Sequence, residues 1–543
     1  MIFPILFLFF VQIKICDVFK IQGVSLGSLF VLEPFITPSL FYPFLGNKNK
    51  VISDTYSFCE ELGPIEANTR LRNHWPNWVN ESTIKYIAGT GINTIRIPVG
   101  DYMYMYYGPY NISVGGIYCF SGSLEYLDLI MNYCNKYNLR VILDIHAWKD
   151  SQNGFDNSGQ TKNIEFYKLN GTLYFKHWPI RSANWIGDFE LKGKYYKSIN
   201  YDNINYSLHV IDIVLNKYKD YKMIWGFSPI NEPWEYTPID ILKDFYKKVY
   251  DKFNIIWGKK KFLLLHDSFR PYLWDSCSFL ENGDLIISNV YLDTHYYIAW
   301  NDPVVFETLI SSIRNIRFPK SCLPFIVGEF SLATDNCMMW LNGFMDNLPN
   351  YPFQQCLYEK CPKYDDDNNK FLIQKSKDGP FGIGVSYPTI DGYCPMTTPI
   401  SLNKIISNKI ISNKIYSEDI YARQLFQEFI KVFQEQADGW IFWNFKTESN
   451  FYAWNFISSY KMGYIQLNIE LLSSSIDKIM NNYYVIFYCI GSLIFLFITL
   501  FIIFYLKYKK FKKNAYQYID IEKMPLKYTK VNKIYVQENT IEI

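Results

Sequence analysis

Eight short apolar runs, most of them separated by stretches with helical spacing, constrain this 543-residue chain more than any other feature. They fall at 21–26, 93–99, 140–146, 223–230, 261–267, 290–296, 324–329 and 439–445. Between the second and third runs, Leu124, Leu127, Ile130, Met131 and Cys134 recur with a helical period; Leu208, Ile211, Leu215 and Tyr218 do so between the third and fourth. Buried strands alternating with helices predict a parallel sheet, and eight of them predict a closed (β/α)8 barrel of the α/β class rather than an open doubly wound sheet. No glycine-rich phosphate fingerprint follows the first run, which also argues against a dinucleotide fold.

Barrels of this kind keep their chemistry at the carboxyl ends of the strands. The fourth run ends in Asn231-Glu232-Pro233, and the proline forbids continuation of the ladder. Glu232 alone reads equally well as a solvated turn residue. The seventh run also ends on a glutamate, Glu329. Two carboxylates, each at the end of a buried strand, are the equipment for glycosidic bond cleavage, and their loops open on one face of a barrel.

The two ends of the chain differ from its middle. Residues 1–11 are apolar and uncharged, and residues 1–16 read as a secretory signal or, alternatively, as a buried first strand. Residues 484–506 contain no charge and are long enough to cross a bilayer with some tilt. Lys507, Lys509, Lys510, Lys512 and Lys513 follow directly, which predicts a type I single-pass protein with a basic cytosolic tail over 507–543 and an outward-facing domain over 17–475. The net charge of +2 gives no basic face for nucleic acid. Nine cysteines between Cys59 and Cys394 show no CxxC spacing and offer no zinc site, so disulfides with one odd thiol are expected. Sequons at Asn80, Asn111, Asn170 and Asn205 are weak glycosylation signals. Two stretches interrupt the alternation. The aromatic-rich segment 162–203 is expected to roof the mouth after the third strand. The segment 346–418 carries an acidic run at 365–369 and a short repeat at 405–414, and reads as a solvated loop without chemistry.

Taken with their order, these residues resemble glycoside hydrolase family five of the cellulase superfamily, nearest to its fungal-type exo-1,3-β-glucanases. The resemblance runs over about residues 20 to 468. It is carried by Gly23-Val24-Ser25-Leu26-Gly27, Leu32-Glu33-Pro34-Phe35, His74-Trp75-Pro76-Asn77-Trp78, Ile95-Arg96-Ile97-Pro98, Asp144-Ile145-His146 and the run 151–159. Asn231-Glu232-Pro233, His295-Tyr296-Tyr297, Gly328-Glu329-Phe330-Ser331, Trp340-Leu341-Asn342-Gly343 and the run 440–448 complete it.

The resemblance implies a retaining hydrolase of β-glucan ends that needs no cofactor or metal. Glu232 takes the part of the acid/base and Glu329 that of the nucleophile. It further implies that Arg96 keeps Glu329 ionised, Tyr297 donates to it, and Asn231 binds the sugar 2-hydroxyl. His146 and His295 would contact hydroxyls, with Asn157 among the substrate-binding residues. Glu33 would hold the terminal glucose at a blind end, Trp443 would floor the pocket, and Phe155, with Trp300 opposite, would clamp the next sugar. This chain departs from the family's pattern in four places: Gly27-Ser28-Leu29 replaces Gly-Gly-Trp, Ala147-Trp148-Lys149-Asp150 replaces Gly-Ala-Pro-Gly, Phe330 replaces a tryptophan, and the loop after the third strand is longer.

Overall fold

A computed structural model describes residues 20–44, 52–162, 165–169, 172–176, 183–190, 193–280, 289–301, 304–336, 338–341, 357–360, 393–396, 418–449, 451–467 and 495–512. The expected signal at 1–16, the acidic run, the repeat and the tail beyond 512 lie outside them. The chain forms two compact units, Met1–Leu467 and Asn468–Ile543.

In the first unit the eight apolar runs become eight parallel strands: β1 Ile21–Ser25, β2 Thr94–Gly100, β3 Arg140–Ala147, β4 Ile224–Ser228, β5 Phe262–His266, β6 Val290–Tyr296, β7 Phe325–Phe330 and β8 Gly439–Phe442. Each strand pairs with its neighbours in sequence, and β1 closes against β8, so the sheet has no edge. Ile21, Ile142, Leu264 and Ile326, from alternate strands, form one apolar layer inside the barrel together with Ile441 of β8. Gly23 makes room for that layer, since a Cβ there would lie 2.9 Å from the Ile441 side chain.

Helices cover the outside. The expected periodicities become Ser123–Lys136, with Leu127, Ile130, Met131 and Cys134 buried, and Tyr201–Tyr218, with Leu208, Ile211, Leu215 and Tyr218 buried. A longer helix, Thr55–Trp78, begins on a capping box in which Asp54 Oδ1 accepts the Ser57 N–H at 2.7 Å. It bends at Gly63 and Pro64, where Gly63 has φ 68°. Asn80 of the first sequon is the N-cap of the next helix, Glu81–Ala88. Disulfides join Cys59 to Cys119 and Cys277 to Cys322, and Cys134 is a buried free thiol.

The segment expected to roof the mouth contains two hairpins, Glu165–Leu169 with Thr172–Lys176 and Phe189–Glu190 with Tyr195–Tyr196. Leu357–Lys360 pairs antiparallel with Tyr393–Met396 in the other insert. In the second unit, residues 495–512 are helical with exposed apolar side chains. Among the described residues no helix is long and apolar enough to cross a membrane, and 484–494 of the expected span lie outside them.

Candidate active site

The carboxyl ends of the strands and the loops that follow them carry buried polar side chains. β2 supplies Arg96, whose guanidinium is fully buried between three partners. It donates to Glu329 Oε1 through Nη1 and to Asn231 Oδ1 at 2.7 Å through Nη2, which also lies 3.2 Å from Asp144 Oδ2. Tyr297, just past β6, donates to the second Glu329 oxygen at 2.7 Å. Glu329 therefore receives a hydrogen bond on each oxygen.

Glu232 stands in the loop after β4 with a left-handed backbone, φ 45°, a conformation that a non-glycine residue keeps only when its surroundings hold it. Its surroundings do so. Asn157 donates to Oε2 at 3.0 Å, and His295 Nδ1 lies 2.7 Å from Oε1. The same Nδ1 lies 3.4 Å from Glu329 Oε2, so one imidazole nitrogen touches both glutamates. Two oxygens held at 2.7 and 3.4 Å from one atom lie closer together than the ~6.5 Å or more of an inverting pair.

The charges couple through these contacts. Burial alone would depress His295, but Glu329, Asp293 and the hydrogen bond to Glu232 outweigh it and lift the ring to about 10. Burial pushes Glu232 up, while the hydrogen bond and charge of His295 push harder the other way and hold the carboxyl below its ordinary value. Asp144 is likewise buried, yet Arg96 and His146 hold it low. Glu33, in the loop after β1, is raised well above the ordinary value by burial and then by Asp156, Glu329 and Glu232. Its Oε1 has no hydrogen-bond partner among the described residues. Burial and the charges of those three carboxylates thus favour the neutral form of Glu33.

The expected site residues assemble, but not all as expected. His146 and His295, expected to contact hydroxyls, both have fully buried side chains. His146 Nδ1 is 2.6 Å from Asp144 and Nε2 is 3.3 Å from the Asn231 amide, which occupies both nitrogens with protein. Its ring stacks on Trp443 at 5.3 Å and 2°, covering one face of that indole. Phe155 is half-buried, and Trp300 is exposed and packs edge-on against Tyr297 at 5.6 Å.

Sequence reasoning missed the supporting carboxylates Asp144 and Asp293. A signal was present in Asp144-Ile145-His146 and Asp293-Thr294-His295, since the period of two along a strand puts each aspartate on the face of its histidine. It also missed Gln152, whose amide donates to the carbonyls of His146 and Asn231 at 2.7 and 2.9 Å and stitches the ends of β3 and β4 together. Two of the departures acquire a physical meaning. Ser28 and Asp150, standing where the pattern has glycine, have φ of 57° and 64°. The Ser28 hydroxyl is held by Thr37 Oγ1 at 2.5 Å and by the Glu33 N–H at 3.1 Å, which offsets that conformation.

Glu232, His266 and His295 bring one ligand-type atom each within 4.8 Å of the others. His266 Nδ1 accepts the Ser268 N–H at 2.9 Å, so its Nε2 keeps the proton and is not free to ligate a metal.

A closed parallel barrel whose strand ends hold two glutamates across one polar contact defines a glycoside hydrolase. The sequence profile described as "Cellulase (glycosyl hydrolase family 5)" matches residues 59–330, and the chain belongs to that family. It is 31% identical to glucan 1,3-beta-glucosidase 2 of Candida albicans, over 60% of this chain and 67% of that one. It is 28% identical to glucan 1,3-beta-glucosidase 2 of Wickerhamomyces anomalus, over 80% and 85%. The crystal structure of rutinosidase from Aspergillus niger shares the fold, with a TM-score of 0.50 at 17% identity over 82% of this chain and 98% of that one.

Proposed function

We propose that the protein is a retaining exo-β-1,3-glucosidase that removes glucose from the ends of β-glucan, with Glu329 as nucleophile and Glu232 as acid/base. The observation that carries this reading is the pair of glutamates sharing His295 Nδ1, a closeness suited to direct attack on a sugar carbon rather than attack through an intervening water. Glu329 attacks C1 while Glu232 protonates the leaving oxygen; water then cleaves the glycosyl-enzyme with Glu232 as base. Arg96 and Tyr297 each donate a hydrogen bond to one Glu329 oxygen and so orient the carboxylate for attack. A buried Glu33 whose carboxyl is pushed well above its ordinary value suits a blind end that holds a terminal hydroxyl, and names of relatives at about 30% identity favour a 1,3-linked glucan.

Attachment to a membrane rests on the sequence, in which the uncharged stretch 484–506 is followed by a lysine cluster. The same stretch is the reason to weigh a glycolipid β-glucoside as a second substrate class. An inactive carbohydrate-binding protein is the less economical reading, because both carboxylates are present. Release of glucose from laminarin, compared with release from glucosylceramide, separates the substrates, with Glu329→Gln as control. Laminarin turnover that disappears in the variant supports the reading; turnover unchanged in the variant removes Glu329 from the mechanism.

A further inference from the structure

We propose that His295 stores the proton that Glu232 delivers, and that Asp293 is the positioning residue that holds His295 in this role from behind. The inference rests on the glycosidase reading and assigns residues that reading leaves idle or gives to sugar binding.

The geometry makes the case. The His295 ring is fully enclosed by protein, so it serves its neighbours and not the substrate directly. Nδ1 lies 2.7 Å from Glu232 Oε1 and 3.4 Å from Glu329 Oε2, and Nε2 lies 3.7 Å from Asp293 Oδ2. With both glutamates ionised, a nitrogen between them must carry a hydrogen, and the shorter contact directs that hydrogen at Glu232. Other elements packed on the ring do not compete for the charge. His266 of β5 meets it edge-to-face at 4.4 Å, and burial, then the charges of His295, Arg96 and His146, hold His266 well below its ordinary range and uncharged. Asp267, beyond β5, is lifted to about 7 by burial and adds at most a partial negative charge.

Asp293 owes its place to two features of the chain. It lies two residues before His295 on β6, so both side chains point to the same face. It also occupies space that only a glycine leaves open, since a Cβ on Gly328 of β7 would lie 1.9 Å from Asp293 Oδ1. Neither Asp293 oxygen has a hydrogen-bond partner among the described residues, so its charge acts on His295 and Arg96 through space.

In the first half-reaction the Nδ1–H bond breaks and an O–H bond forms at Glu232 Oε1. That proton passes to the glycosidic oxygen as its bond to C1 breaks and the bond from Glu329 forms. In the second half Glu232 removes a proton from the attacking water and returns it to Nδ1. The cycle consumes one water and leaves His295 as it began.

The test is Asp293→Asn, assayed on phenyl and 2,4-dinitrophenyl β-glucosides across pH. The first leaving group needs a proton and the second does not. The expected result is a loss of about 10- to 100-fold in kcat/KM on the phenyl substrate, at least about tenfold more than on the dinitrophenyl one. The alkaline limb should also move to lower pH, since His295 loses a partner that holds its proton. Equal losses on both substrates with an unmoved limb would overturn the proposal. If the variant does not fold, 15N NMR of histidine-labelled wild type decides the matter, with His295→Gln for assignment. Both ring nitrogens of His295 protonated at pH 8 supports the proposal, and a neutral ring there sinks it. Wild-type protein that releases phenol from neither glucoside would instead mean that the glycosidase reading itself had failed.

Discussion

A Cβ placed on Gly328 would lie 1.9 Å from Oδ1 and 2.6 Å from Oδ2 of Asp293. The glycine before Glu329 thus exists for the carboxylate on the neighbouring strand, not for a turn. Gly328→Ala should destabilise the barrel by about 1–3 kcal/mol through overpacking. Gly328→Ala combined with Asp293→Ala should regain part of that loss, because the second change removes the atoms the first one strikes. Denaturant unfolding of the two single variants and the double variant gives the coupling, and strictly additive costs would show that the two side chains do not meet.

Arg96 is the fully buried cation between Glu329 and Asp144, and removing it leaves both carboxylates buried without their partner. Arg96→Met should cost roughly 3–5 kcal/mol of stability. Its effect on activity has a definite sign as well. Without the guanidinium Glu329 Oε1 and Asn231 Oδ1 lose their donor, so kcat/KM should fall by about 100-fold or more. A folded variant with lowered stability but unchanged kcat/KM would confine Arg96 to a structural part.

The barrel was legible because its signal is repeated: each strand is an apolar run, and 290–296 matches β6 to the residue. The strand ends were less so. β4 and β8 stop two and three residues short of the predicted ends: Pro229 has no N–H to offer the ladder after Ser228, and Asn444 turns its amide to the Lys446 carbonyl. Glu232 and Glu329 stood out as a pair, each at the end of an apolar run, where Glu232 by itself read equally well as a turn residue. The burial of His146 and His295 did not stand out, because a histidine at a strand end looks the same in sequence whether it faces sugar or protein. What separates the cases is the aspartate two residues earlier, which gives each ring a partner inside the barrel.

Asp101, directly after β2, accepts the Lys149 N–H beyond β3 at 2.7 Å and so ties two strand ends together at the mouth. Burial raises its carboxyl to about 8 although hydrogen bonds oppose the shift. In the unfolded chain the group titrates near ~3.9. Below that pH both states hold the proton and nothing is lost. Between about 4 and 8 the unfolded state gives up its proton and the folded state does not, so this group's contribution to stability falls as pH rises. Asp101→Asn keeps an acceptor for Lys149 and cannot ionise. The difference in Tm between variant and wild type should therefore grow in the variant's favour from pH 5 to pH 8, by about 2 °C or more. Parallel Tm curves would mean that Asp101 is ionised in the folded protein.

Two tryptophans near the mouth separate binding from architecture. Trp443 is 4% exposed and has one face against His146; Trp300 is 39% exposed. Truncating the first opens a cavity beside the glutamates, so Trp443→Ala should cost about 3–5 kcal/mol of stability along with activity. Truncating the second removes ring surface that already faces water, and stability should change by no more than ~0.5 kcal/mol. If Trp300 stacks on a sugar beyond the cleaved bond, it contributes equally to ground state and transition state. Trp300→Ala should then raise KM about three- to tenfold with kcat unchanged on an oligosaccharide. On a monosaccharide aryl glycoside, which does not reach that position, KM should stay the same. A KM increase of equal size on both substrates would place Trp300 in the pocket of the cleaved glucose instead of at the entrance.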